Sequence, residues 1–213
     1  MKALIFANGI SEKIPKLRQL SVDTDLIVAV DGGANHCHKL NITPDILLGD
    51  LDSITPEVLA HCKDKNVETY QYPSRKDATD LELALDLILA RKAKSVLLLA
   101  ALGGRWDMSL ANITLAASKK YKALQISFLT ADCCIHILHG GKPFTVRGEP
   151  GQTISFSPIN GNIYELTLTG FEYPLEKKTI PFGSTLGISN TLLTNKGSVL
   201  FSKGTLLCTL LLK

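Results

Sequence analysis

The sequence predicts an α/β protein, a mostly parallel, doubly wound sheet followed by a small all-β, sandwich-like C-terminal domain. Through the first two thirds of the chain, short apolar runs alternate with helical patterns. Those runs are continuous rather than alternating, as expected of strands covered by helices on both faces. After about Leu138 the helical patterns stop, and β-like segments follow between Gly-Gly, Pro-Gly, Asn-Gly and Lys-Gly turn signals. The expected division is an α/β domain over 1–138 and a β domain over 139–213.

Candidate strands in the first part are Ala3–Ala7, Leu26–Val30, Ile46–Leu48, Val67–Gln71, Val96–Ala100 and Ile126–Leu129. Thr55-Pro56-Glu57 reads as a helix start, with proline at the first helical position. The clearest helix runs from about Asp80 to Arg91. Leu81, Leu85, Ile88 and Leu89 share one face there, and Thr79-x-x-Glu82 forms a capping box. A further helix is expected over Ser109–Tyr121. Strand alternating with helix implies the parallel sheet. In the second part the candidate strands are Phe144–Arg147, Thr153–Ser157, Ile163–Thr169, Ser198–Ser202 and Thr205–Leu211. Tyr164, Leu166 and Leu168 alternate with polar neighbours, so that strand should be half exposed.

Composition narrows the partners. A net charge of +3 on 213 residues gives no reason to expect nucleic acid or a membrane surface. No apolar run reaches transmembrane length, and Asn8-Gly9 ends the first apolar run too early for a signal-peptide core. The five cysteines are odd in number and form no CxxC pair, which suits reduced thiols in a cytoplasmic protein. No aspartate follows Asp132, so aspartate chemistry must come from the first part.

In open parallel sheets, ligands bind outside the carboxyl ends of the strands. Four successive strands here are followed by Asp31-Gly32-Gly33, Gly49-Asp50-Leu51-Asp52-Ser53, Lys76-Asp77-Ala78-Thr79-Asp80 and Gly103-Gly104-Arg105-Trp106-Asp107. Each piece has an ordinary reading. The glycines make tight turns, single aspartates are solvated, Asp80 suits a helix start, and Arg105 is a surface charge. Together they crowd Asp31, Asp50, Asp52, Asp77, Asp80 and Asp107 on one edge. So many carboxylates repel one another unless a cation joins them. Hard oxygen donors suit Mg²⁺. Glycine-rich backbone with Lys76 and Arg105 suits a nucleotide polyphosphate. No GxxxxGK[ST] loop, no GxGxxG after the first strand and no HExxH occurs. Most histidines read as structural, although His36 sits beside the site. Trp106 reads as packing, or as one wall of an adenine pocket.

These motifs, in order, resemble those of bacterial thiamine pyrophosphokinases: Asp31-Gly-Gly-Ala-Asn35, Gly49-Asp-Leu-Asp-Ser53, Lys76-Asp-Ala-Thr-Asp-Leu-Glu82, and Gly103-Gly-Arg-Trp-Asp107 followed by Ala111-Asn112. The resemblance continues through Tyr173-Pro174-Leu175, Pro181-Phe-Gly-Ser184 and Leu186-Gly-Ile-Ser-Asn190. It covers nearly the whole chain. It implies an ATP-dependent diphosphotransferase acting on thiamine, with an N-terminal catalytic domain, a C-terminal β-sandwich and a homodimer with sites near the subunit boundary. On this chain it implies Asp50, Asp52 and Asp80 as Mg²⁺ ligands, with Asp77 and Asp31 close by. Gly32, Asn35, Lys76, Gly104 and Arg105 would contact phosphates. Asp107 and Asn112 would shape the nucleotide or thiamine pocket, and Ser189 and Asn190 would touch thiamine. Asp50, Asp52, Asp77, Asp80 and Arg105 form the expected catalytic set. Two positions depart from the family pattern: Met108 stands where histidine is usual, and Ala100 where glycine is common. A metal-dependent nucleotide hydrolase and a non-catalytic binding module are the competing readings.

Overall fold

A computed structural model describes residues 1–11, 14 and 17–212, without the side chains of residues 17 and 18. The chain divides into two compact units, 1–116 with 123–131, and 117–122 with 132–213. The boundary falls at 131–132 because the next strand, Cys133–His139, pairs along its whole length with Thr205–Leu211.

In the first unit the elements run β1 Lys2–Phe6, α1 Leu17–Val22, β2 Leu26–Val30, α2 Gly33–Lys39, β3 Ile46–Gly49, α3 Pro56–Asp64, β4 Glu68–Gln71, α4 Asp80–Ala90, β5 Ser95–Leu99, α5 Trp106–Ala116 and β6 Gln125–Leu129. All five strand pairings are parallel, in the order β6-β5-β1-β2-β3-β4. The order reverses direction at β1, so the ends of β1, β2 and β5 open onto one crevice. β1, β2 and β3 are buried almost throughout, which is why they read as unbroken apolar runs. Leu4, Phe6, Ala29 and Leu47 pack on one face with Cys37 of α2 and Val58 and Cys62 of α3. The alternate residues Ile5, Val28, Val30, Ile46 and Leu48 are buried on the other side.

Thr55 caps α3, its hydroxyl accepting from Val58 N, and Thr79 caps α4 by accepting from Glu82 N. In α4, Leu81, Ala84, Leu85 and Ile88 are the buried residues, while Leu89 is only half-buried. The helix expected over Ser109–Tyr121 starts earlier and stops sooner. It spans Trp106–Ala116, and Lys119–Tyr121 forms a separate 3-10 turn. The early start comes from Arg105, whose carbonyl accepts from both Ser109 N and Ser109 Oγ at 3.0 Å.

The second unit holds β7 Cys133–His139, β8 Phe144–Arg147, β9 Thr153–Pro158, β10 Ile163–Thr169, β11 Leu175–Ile180, β12 Asn190–Thr191, β13 Lys196–Leu200 and β14 Thr205–Leu211. These form two antiparallel layers, β12-β9-β14-β7 and β11-β10-β13-β8. Phe156, Phe171, Leu166, Leu168, Val199 and Phe201 lie in their shared core. The strand expected at Ser198–Ser202 lies two residues earlier, at Lys196–Leu200. β10 departs from simple alternation: Ile163 and Leu166 are both buried, with Tyr164 and Glu165 exposed between them. Glu165 has φ 56°, and the register against β11 shifts there, so a bulge resets which residues face inward. None of the five cysteines forms a disulfide among the described residues, and Cys37, Cys62 and Cys208 are buried. Burial, with Cys133 adjacent, pushes the Cys134 thiol up to about 11. Among the described residues, no helix is long and apolar enough to cross a membrane.

Phe171 is 1% exposed and meets Phe156 edge to face at 5.2 Å. Phe171→Ala should therefore cost the second unit about 3–5 kcal/mol, read as a lowered midpoint in urea unfolding followed by its own strand signals.

Candidate active site

The strand ends of the first unit line a cleft of about 700 Å³. Its walls come from four connections, after β1, β2, β4 and β5, with Asp50 from the connection after β3. Asp31 follows β2 directly and adopts φ 48°. A left-handed backbone is costly for a non-glycine residue and persists only when the surroundings enforce it. Here Asp31 N donates to Leu48 O at 2.8 Å, and Asp31 Oδ1 accepts from Ser53 N at 3.4 Å. Leu51 is also left-handed, at φ 69°, which turns the chain between Asp50 and Asp52. As a result one carboxylate oxygen each from Asp31, Asp50 and Asp52 lie within 4.8 Å of one another.

Local donors hold this group. Asp52 N donates to Asp50 Oδ1 at 3.3 Å, and Ser53 Oγ donates to Asp52 Oδ1 at 2.9 Å. A hydrogen bond from Ser74, aided by the Asp52 amide and the Lys76 charge, holds the Asp50 carboxyl below the ordinary aspartate value. Asn35 straps the acidic loop from beneath. Its Nδ2 donates to Ser53 O at 2.9 Å, and its Oδ1 accepts from Thr55 N at 3.2 Å.

The three-carboxylate group differs from the set Asp50, Asp52 and Asp80, since Asp31 takes the third place. Asp80 lines the same cleft, but its Oδ1 is 3.0 Å from Lys76 Nζ, in an ion pair whose geometry leaves that oxygen without a hydrogen bond. Lys76 also donates to Pro73 O at 3.1 Å. Asp77 is exposed and outside the lining.

The connection after β5 brings Gly103 and Gly104 into the wall at φ 91° and 73°. Gly103 N donates to Ser109 Oγ at 3.0 Å, tying this turn to α5. Arg105 lines the cleft and is held by Asp107, which accepts from its Nε at 3.1 Å and from its Nη2. The guanidinium keeps the Asp107 carboxyl below its ordinary value. Asp107 itself lies outside the lining. Asn112 is 5% exposed, and its Nδ2 donates to Ala101 O at 2.7 Å. Its Oδ1 is buried without a partner on the cleft wall. Met108 lines the cleft and offers only a weakly accepting thioether.

Gly32 does not line the cleft. A Cβ there would lie 2.0 Å from Asn8 Oδ1, and one on Gly33 would lie 2.0 Å from Phe6 O. Both glycines let α2 start hard against the end of β1. Ala100 has φ 52°, which explains why glycine suits that position. Asn8, Gly9, Ile10 and Ser74 also line the cleft. Sequence reasoning passed over them, although Asn8-Gly9 follow the first strand just as Asp31 follows the second. His36 clamps this loop: its Nε2 meets Gly9 O at 2.9 Å and its Nδ1 meets Ser11 Oγ at 2.8 Å. Burial, with Lys39, lowers the His36 pKa against the opposing Gly9 carbonyl, so a neutral ring donates to Gly9 and accepts from Ser11.

Ser189 and Asn190 belong to the second unit. Ser189 is exposed at φ 56°, its amide donating to Ser155 Oγ at 3.1 Å. Asn190 is 3% exposed and engaged with backbone: Oδ1 accepts from Tyr173 N and Thr191 N, and Nδ2 donates to Tyr173 O.

Residues 17–128 match the family described as thiamin pyrophosphokinase, catalytic domain, and residues 141–206 match its vitamin B1 binding domain. A thiamine pyrophosphokinase of Bacillus subtilis (strain 168) is 34% identical over 203 residues, 95% of this chain and 95% of its own. Thiamine pyrophosphokinase 1 of Oryza sativa subsp. japonica is 26% identical, over 85% of this chain and 77% of its own. The crystal structure of the Bacillus subtilis enzyme aligns over 100% of both chains with a TM-score of 0.89 at 33% identity. That from Geobacillus thermodenitrificans aligns with a TM-score of 0.85 at 31% identity, over 100% of this chain and 98% of its own.

Two outcomes follow from this geometry. Ser74→Ala should raise the Asp50 pKa toward the ordinary carboxylate range, read by carboxyl ¹³C NMR titration, because the largest contribution holding it down is removed. Ala100→Val should destabilise the first unit by about 2 kcal/mol or more, and Ala100→Gly should stay within about 1 kcal/mol of the parent, both read by thermal unfolding.

Proposed function

The chain belongs to the thiamine pyrophosphokinase family, and from that premise we propose how its residues carry out the transfer of diphosphate from ATP to thiamine. The observation that carries the proposal is the convergence of Asp31, Asp50 and Asp52 beside a cleft that also holds Lys76, Arg105 and a glycine-rich turn. Three acceptor-only side chains this close, with Lys76 already engaged by Asp80, match the donor chemistry of a small hard cation. Asp31, Asp50 and Asp52 would hold Mg²⁺, with Asp80 as a further candidate on the same cleft. Such an ion, once bound, supplies charge neutralisation and alignment of phosphate oxygens.

Diphosphate transfer depends on positioning and charge stabilisation more than on covalent help from the protein. The thiamine hydroxyethyl oxygen attacks the β-phosphorus of ATP in line, and AMP leaves. Lys76 and Arg105 offer cationic donors to the phosphates, with the open backbone of Gly104 beside them. Asp107 fixes the guanidinium of Arg105 in its fork orientation. Asn112 presents a buried unpartnered acceptor, suited to the exocyclic amino group that both adenine and thiamine's pyrimidine carry. Gly32 and Asn35 act through packing, holding α2 and the acidic loop in place. Asp77 is near enough in sequence to assist without lining the cleft. In the second unit Ser189 is the exposed contact for thiamine, and Asn190 positions it by fixing the Tyr173 backbone. The protein works in the cytoplasm as a homodimer.

Mass spectrometry of purified protein with thiamine, ATP and Mg²⁺ tests the assignment. Thiamine diphosphate and AMP should form in equal amounts and vanish with EDTA. AMP or ADP without thiamine diphosphate would instead mark a hydrolase. Asp52→Asn should lower turnover by about a hundredfold or more, beyond the loss of an outer-sphere partner, with an unchanged circular dichroism spectrum. Near-normal turnover in that variant would remove Asp52 from the metal site.

A further inference from the structure

The second unit carries its own cleft, of about 540 Å³, at the loops joining its strands. Lys119 and Lys122 reach it from the 3-10 turn, and Lys203 from the turn between β13 and β14. His139, the last residue of β7, lies on its wall. No carboxylate lines this cleft, and no ion pair to any of the three lysines occurs among the described residues. Three exposed lysines around one cleft with no carboxylate in its lining give it a positive potential that favours an anion.

The histidine adds an independent sign. His139 Nδ1 meets Thr205 Oγ1 at 3.3 Å, while Nε2 is buried without any partner. A buried ring nitrogen with nothing to bond is costly, and a small turn of this cleft-wall ring toward a bound group would remove the cost. Burial, and to a lesser degree the Lys122 charge, holds the imidazole below its ordinary pKa. Backbone shape also contributes. Gly204, at φ 117°, packs so closely that a Cβ would lie 2.5 Å from Asn162 O. Asn162 spends its Oδ1 on Phe182 N at 2.9 Å, which leaves its amide NH₂ as a donor. Tyr164, 40% exposed, lies under Lys203 Nζ at 5.8 Å from the ring centroid.

We propose that this cleft is a second anion site, which takes a di- or triphosphate group on Lys119, Lys122, Lys203 and His139. Its volume exceeds what one phosphate needs, and lysines bind phosphate as point charges without demanding one geometry. The site is separate from the carboxylate-lined cleft of the first unit, whose chemistry calls for a cation, and it does not depend on the catalytic reading.

The test uses full-length protein with ¹³C-labelled histidine and inorganic pyrophosphate as probe, at fixed pH and matched ionic strength. The His139 ring signal is identified by its loss in His139→Gln. It should shift and saturate on adding pyrophosphate but not on adding equivalent chloride. The His36 signal serves as the internal reporter for the first cleft, through its bond to Gly9. In Lys122→Gln/Lys203→Gln the His139 response should weaken by about tenfold or more, as for loss of a charge-assisted contact. The His36 response and thiamine diphosphate formation should stay as in the parent, which also shows that the variant folds. A His139 signal that stays still, whether or not His36 moves, would overturn the proposal, and so would equal His139 affinity in parent and variant.

Discussion

The convergence of Asp31, Asp50 and Asp52 is the constraint around which the first unit is arranged. Carboxylates whose oxygens come within 4.8 Å of one another repel, and at Asp50 the Ser74 hydrogen bond, the Asp52 amide and the Lys76 charge offset this. Flexible loops would relax this by separating the charges. The backbone here does not permit that. Asp31 is tethered to β3 through Leu48 O, and Asn35 bridges from α2 to the carbonyl of Ser53 and the amide of Thr55. The acidic site is held by the end of a buried strand, through Asp31, and by a helix packed on the sheet, through Asn35.

Strain at three residues follows the same logic. Asp31, Leu51 and Ala100 are non-glycine residues at positive φ, and all sit at strand ends facing, or next to, the cleft. Each such residue costs about 1–3 kcal/mol, which the core beneath must supply. That core contains Leu4, Phe6, Leu47 and Leu99, each at most 1% exposed. Rigidity in the sheet and strain in its connections are therefore linked. A softer sheet would let Asp31 return to ordinary backbone, and the carboxylate group would open.

The parts of the fold legible in the sequence were those where local chemistry and burial agree. Leu26–Val30 reads as a strand because all five of its residues are apolar, and Thr79 reads as a cap because Glu82 lies three residues on. β11 escaped notice because Glu176, Lys177, Lys178 and Thr179 make four of its six residues polar. It is an edge strand, where charge guards against pairing with other chains, so the signal that hides it from hydropathy is the one its position requires. β7 was hidden differently, since Cys133-Cys134 and two histidines carry no clear alternation, and its pairing with β14 bridges a long stretch of chain.

The site was legible as a set of motifs but not as a set of contacts, and Asp80 shows why. Spacing along the chain places Asp80 beside Lys76, four residues earlier, as readily as beside any metal. Only the three-dimensional arrangement reveals that Lys76 occupies its carboxylate while Asp31, nineteen residues before Asp50, comes within reach of it. Asp31 does so because β2 and β3 are adjacent parallel strands that end within one residue of each other, with Val30 opposite Leu48. Adjacent strands ending together bring their following residues into contact whatever the length of the helix between them. The neighbours of the strand-end carboxylate Asp50 are thus Asp31 from the strand next door and Asp52 of its own loop, while the helix-start Asp80 is held by Lys76 of its own turn.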